Sequence, residues 1–158
     1  MADRIAVMRA GSILQVGRPD EVYARPSLAF VVTLFGQVNE VRGVVRDAMV
    51  ATPLGAVRAA GQAEGVPAVV LIRPEGLMLS PVGADEGAGQ GPPGCPAKVL
   101  ASRLLGRTSW IHLCLGDLGA GEARHLHMHA RVPGRYLPAE GELLEVRLDP
   151  AQVFVFAG

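Results

Sequence analysis

After Gly36 the chain is written in short apolar stretches separated by turn residues. Chains with that texture bury their apolar positions by pairing strands, because no stretch is long enough for an amphipathic helix. Strands are expected over 40–46, 48–52, 56–60, 68–73, 77–80, 97–105, 108–115, 125–132, 143–148 and 152–156. The first 36 residues read differently. Arg4–Met8 and Ile13–Val16 flank the turn residues Ala10-Gly11-Ser12, which predicts a hairpin. Pro19, Asp20 and Glu21 suit a helix N-terminus, and Pro26 stops that helix near Arg25. Ser27 is expected to cap a second helix, Leu28–Leu34, ended by Gly36. Residues 83–94, rich in Gly and Pro, read as a mobile loop between two β subdomains. The turns Leu54-Gly55 and Leu105-Gly106 hint that the two parts are paired small barrels.

Composition removes several classes of function. With 49% apolar and 19% charged residues, the chain has a core to bury and is not a disordered tail. Fifteen basic residues balance 15 acidic ones, and only 4% of residues are aromatic. Neither a basic nucleic-acid clamp nor a base-stacking platform is expected from those figures. No apolar run approaches the ~20 residues that span a bilayer. Met1-Ala2-Asp3-Arg4 lacks the plan of a signal peptide, so a cytoplasmic parent is expected. Cys95 and Cys114 match neither a disulfide framework nor a zinc module.

Catalytic motifs are not found. The one lysine, Lys98, does not sit in a phosphate-binding loop, which needs Gly-x4-Gly-Lys-Ser/Thr. There is neither a Gly-x-Ser-x-Gly elbow nor a His-Glu-x-x-His helix. The chain is therefore expected not to be an enzyme by itself.

The histidines carry the strongest chemical suggestion. His125, His127 and His129 alternate with Leu126, Met128 and Ala130, so on a strand the imidazoles share one face. On the preceding strand Ile111, Leu113 and Leu115 make one face, and Trp110, His112 and Cys114 the other. Core faces must match across a hairpin. That sets Leu113 near Met128, His112 opposite His129 and Cys114 opposite His127. Imidazoles and a thiolate at cross-strand spacing could hold zinc or nickel. The plain alternative is a polar sheet face with no metal, which is what half-exposed strands ordinarily show.

Arg73-Pro74-Glu75 closes an apolar strand. Arg73 there is either an anion or partner contact, or an ion pair or backbone contact that fixes a tight turn. Trp110 reads as a barrel or interface filler.

Residues 1–11, followed by Gln15-Val16-Gly17-x-Pro19-x-Glu21-Val22-Tyr23-x-x-Pro26, resemble the end of an ABC-importer ATPase domain. Phe30, Phe35-Gly36, Asn39 and Gly43 resemble the crossover into the TOBE region of such subunits. Thr52-Pro53-Leu54-Gly55, Leu71-Ile72-Arg73-Pro74-Glu75 and Leu105-Gly106-Arg107 resemble that region itself. The resemblance implies an ATPase tail over 1–36 and a TOBE-type regulatory β domain over 37–158. Its fold would be mainly β, two small OB-like antiparallel barrels preceded by a β-hairpin and two short helices. The ATP- and Mg-binding motifs would lie upstream of Met1, so no cofactor is expected in this chain. The implied role is a regulatory and dimerisation module for solute uptake, with a texture closest to the ferric-iron and polyamine branch. The implied partners are a second copy, the rest of the ATPase subunit and the permease, through which alone it would meet the membrane. Arg73, Glu75 and Arg107 are the implied ligand or partner contacts. The run His125/His127/His129 departs from the family pattern. A stand-alone OB-like binder of an oxyanion or a metal is the competing class; one lysine and few Ser and Thr weigh against the oxyanion.

Overall fold

The computed structural model describes residues 3–59, 61–82, 95–115 and 126–158. Strands β1 (Ile5–Arg9) and β2 (Ser12–Gly17) form the expected hairpin, which stands as its own two-stranded sheet. Helices α1 (Pro19–Ala24) and α2 (Ala29–Thr33) follow. The hairpin packs on these helices: Val7, Val22 and Val31 are buried together, with Ile5 and Phe30 against them.

Ser27 does not cap α2. The cap position is Leu28, with no side-chain hydrogen bond. The amide and hydroxyl of Ser27 instead donate to Gln15 Oε1, at 2.9 and 3.2 Å. Gln15 Nε2 donates in turn to Arg25 O at 2.9 Å, so one β2 side chain pins the link between the helices.

The remaining strands are β3 (Asn39–Arg46), β4 (Met49–Thr52), β5 (Gly55–Arg58), β6 (Pro67–Ile72), β7 (Leu77–Pro81), β8 (Cys95–Leu105), β9 (Thr108–Leu115), β10 (Leu126–Pro133), β11 (Leu143–Leu148) and β12 (Val153–Ala157). They build two five-stranded sheets, ordered β12-β6-β3-β4-β5 and β10-β9-β8-β11-β7. Pairing is antiparallel throughout, and the curled sheets give the mainly β, OB-like architecture expected from the sequence.

The two sheets are interleaved along the chain. β7 precedes residues 83–94 yet pairs with β11 in the second sheet, and the last strand, β12, returns to β6 in the first. The Gly/Pro-rich stretch 83–94, read from sequence as a mobile loop between two subdomains, lies outside the described residues. It does not mark the passage between the sheets, because β7 has already crossed before it. One apolar cluster joins the sheets: Val45, Val50, Val70 and Ile72 of the first meet Ile111, Leu113, Met128 and Leu144 of the second. Gly43 lets β3 and β4 approach closely, since a Cβ there would lie 2.7 Å from Val50 Cγ1.

Candidate functional site

The Arg73 turn is set by its backbone. β6 ends at Ile72, and Pro74–Gly76 forms a single 3-10 turn with proline at its first position. Arg73 N donates to Gln152 O at 3.1 Å, and Asp149 N donates to Gly76 O at 2.9 Å. A Cβ on Gly76 would lie 2.6 Å from Gln152 Cβ, so only glycine allows this approach. The turn is thereby locked against the second 3-10 turn, Pro150–Gln152.

From this turn the Arg73 side chain enters an aromatic cage. Its guanidinium carbon lies 3.6 Å from the ring centre of Tyr23, 4.7 Å from Phe154 and 5.6 Å from Phe35. Tyr23 and Phe35 meet edge to face at 5.1 Å. Arg73 is 2% exposed, and its Nε and both Nη atoms find no hydrogen-bond acceptor among the described residues. Glu75 does not pair with it. The Glu75 carboxylate instead accepts a 2.5 Å hydrogen bond from Tyr23 OH. Burial pulls the Arg73 guanidinium below its ordinary pKa, and Tyr23 and Glu75 act against that. Burial, then the Glu75 carboxylate, raises the Tyr23 phenol. Burying an unpaired charge costs several kcal/mol, whereas a desolvated cation–π contact returns about 2 kcal/mol.

Of the readings for Arg73, the backbone contact that fixes the turn is present, from Arg73 N to Gln152 O at 3.1 Å. No ion pair fixes the turn, because the phenol of Tyr23 takes the carboxylate. What Arg73 contacts is the aromatic side of the N-terminal segment, so the cage joins residues 3–36 to the β unit. Arg107 is not part of it. It is exposed at the β8–β9 turn, its carbonyl accepts from Gly134 N at 2.8 Å, and no hydrogen bond or ion pair among the described residues links it to Arg73 or Glu75.

The histidine face lies on β9 and β10. Leu113 pairs with Met128, His112 with His129 and Cys114 with His127, which is the register that face matching requires. Ile111, Leu113 and Leu115 are wholly buried on the inner side. On the outer side His112 Nε2 lies 3.2 Å from His127 Nδ1. The His112 and His129 rings stack at 4.4 Å, and His129 stacks on Trp110 at 5.1 Å. Arg131 covers the far face of this column, 5.4 Å from the Trp110 ring centre. Trp110 is therefore a stacking member of an outer face and does not fill the core. Burial, and then the neighbouring His129 and His127, pulls His112 below its ordinary value; burial and His127 do the same to His129. His125 lies outside the described residues, and Cys114 is buried. Among the described residues no three His, Cys, Asp or Glu groups are gathered to hold a metal ion.

Sequence reasoning missed Tyr23, Phe35 and Phe154 as cage walls, and Asn39 as a brace. Asn39, nearly buried at the start of β3, donates from Nδ2 to His129 O at 2.9 Å and accepts from His129 N at 2.8 Å. Its amide replaces a strand neighbour for β10 and ties the histidine face to the other sheet. No local pattern announces such partners, which lie 90 positions apart.

Comparison with known proteins gives the family. The TOBE domain family matches residues 70–156. A sulfate/thiosulfate import ATP-binding protein of Chromobacterium violaceum is 34% identical over 98% of this chain and 41% of its own length. A putrescine transport ATP-binding protein of Escherichia coli is 31% identical over 94% of the chain and 40% of its length. An Fe(3+) ions import ATP-binding protein of Streptomyces coelicolor is 34% identical over 100% of the chain and 41% of its length. The chain spans about two-fifths of the length of these relatives. No helix among the described residues is long and apolar enough to cross a membrane. With the family matched across the Arg73 turn and the histidine face alike, the chain belongs to the TOBE-domain family, in the branch carried by ABC importer ATP-binding subunits.

Proposed function

We propose that this chain serves as the non-catalytic regulatory and dimerisation module of an ABC importer ATP-binding subunit, on the cytoplasmic side of the membrane. ATP and Mg belong to other parts of such a subunit. The observation that carries the reading is the Arg73 cage. A tail with its own small core, Val7, Val22 and Val31, is held to the β unit by Tyr23 and Phe35 around one buried cation. A joint of that kind lets the state of one unit bias the other, provided a ligand or partner distinguishes the two states. The partners of this reading are a second copy of the chain, the ATPase domain and the permease.

The relatives name sulfate/thiosulfate, putrescine and Fe(3+) at 31–34% identity, so the proposal is solute uptake without a choice of solute. The test is affinity purification of the tagged chain from detergent-solubilised membranes of its own cells. Mass spectrometry should find the permease and ATP-binding subunits of one import system. Recovery of the chain without any importer subunit would overturn the reading.

A further inference from the structure

We propose that His112 and His127 form a two-ligand site for a borderline divalent transition metal ion, of the copper, nickel or zinc class. It stands independently of the importer reading, because both ligands come from the β9–β10 pair. His112 faces His129 in the ladder and His127 faces Cys114, so His112 and His127 are diagonal neighbours. Their facing nitrogens, Nε2 of His112 and Nδ1 of His127, are 3.2 Å apart. Metal–imidazole bonds of about 2.0–2.1 Å at a tetrahedral angle place two ligand nitrogens roughly 3.3 Å apart. The bite is therefore preformed. Rotation of the exposed His127 ring about its broad terminal torsion, with the His112 ring held in its stack, turns the N···N contact into a pair of converging lone pairs.

The support around the pair is rigid. Stacking on His129, at 4.4 Å and 17°, fixes the plane of the His112 ring. His129 is held by Trp110 on its other side and by the Asn39 amide through its backbone. This makes His129 a positioning residue, since its ring stacks on a ligand. Cys114 is buried, and among the described residues no third metal-binding group joins the pair, so these residues supply two ligands. The other coordination positions stay open to water or a small anion. Lys98, opposite Cys114, and Arg103, opposite Trp110, share this face with Arg131. These cations oppose a bare metal ion and favour an anionic fourth ligand. Affinity is thus expected in the micromolar range of open imidazole chelates, with Cu²⁺ tightest.

The experiment is calorimetric titration of the tag-free, chelator-treated 158-residue chain with CuCl₂, NiCl₂ and ZnCl₂, each alone. One ion per chain should bind. Removal of a ligand costs at least as much as loss of an outer-shell partner, so His127→Gln and His112→Gln should each weaken binding about 10–100-fold. His127 is exposed, so its variant keeps the fold, which circular dichroism checks. Cys114→Ser should leave affinity within a factor of about three. His129→Phe keeps the stack and should do the same, while His129→Ala should weaken binding and broaden the His112 ring signals in NMR. Absence of binding to the wild-type chain would overturn the proposal. So would binding that survives both His112→Gln and His127→Gln, or that is abolished by Cys114→Ser.

Discussion

Arg73 is where single side chains decide most. A buried guanidinium whose nitrogens find no acceptor among the described residues packs on ring faces, with the Tyr23 phenol and the Glu75 carboxylate favouring its charge. Replacement of buried charges by apolar groups is often neutral or stabilising by about 1–4 kcal/mol. Arg73→Met is therefore expected to keep or raise the thermal midpoint, and Arg73→Ala to lose about 2–5 kcal/mol as the cage empties. Calorimetric melting of the two variants checks this; equal losses in both would mean that the charge itself holds the joint. Tyr23→Phe removes the hydrogen bond to Glu75, and denaturant titration should show a loss of about 1–2 kcal/mol. The histidines give a pH dependence. Both His112 and His129 lie below the usual imidazole value of about 6.5. The unfolded chain then binds more protons than the folded one as pH falls past that value. The stability contribution is full above it and is lost below it. The charged neighbours Lys98, Arg103 and Arg131 are cations and do not offset the effect. In metal-free protein the denaturation midpoint should fall between about pH 7.5 and 5, and His112→Gln with His129→Gln should flatten the slope. An unchanged slope in the double variant would remove these rings as its source.

At the scale of elements, the β9–β10 hairpin was legible because one inner face had to match another, and that left a single register. Its partner was not. The amide of Asn39 reaches it from a strand 90 residues away, and a lone asparagine carries no periodicity that points there. The cage was equally hidden: Arg73 and Glu75 could be singled out, but Tyr23 is 52 positions from Glu75, and Phe154 is on the last strand. Helix α2 shows the opposite failure, in which a good local signal fell one residue short of the cap position, Leu28. Ser27 precedes that position, and its amide and hydroxyl both donate to Gln15 Oε1 on β2. Two substitutions test how the elements are fastened. Ser109 is fully buried, donates to Gly134 O at 2.7 Å and accepts from Tyr136 N at 2.7 Å. Ser109→Ala leaves both backbone groups unpaired and should cost about 1–3 kcal/mol. Gly76→Ala should also destabilise, since its methyl would meet Gln152 at the locked turn. Denaturant titration of each variant reads the loss, and a wild-type midpoint would contradict the contact concerned.

For the whole molecule, the repeat hint in the sequence pointed to two barrels, and the strand order shows why they do not behave as beads on a string. β7 and β12 each serve the sheet that the other's sequence neighbourhood would have chosen, and one apolar cluster runs through both sheets. The β unit should therefore melt in one transition, with the β12 backbone protected from hydrogen exchange as strongly as β6. The tail, with its separate small cluster, should exchange first. The central claim is that this chain works as the TOBE-bearing end of an importer ATP-binding subunit. Its most direct test is a graft. The 158 residues replace the aligned part of the Streptomyces coelicolor Fe(3+) import ATP-binding protein, which they match along their full length. Uptake and ATP hydrolysis are then measured in membranes with that protein's own partner subunits. Retained, coupled activity that Tyr23→Phe and Arg73→Met alter without unfolding the chimera is the predicted result. A folded chimera that hydrolyses ATP but neither imports nor responds to the cage variants would contradict it.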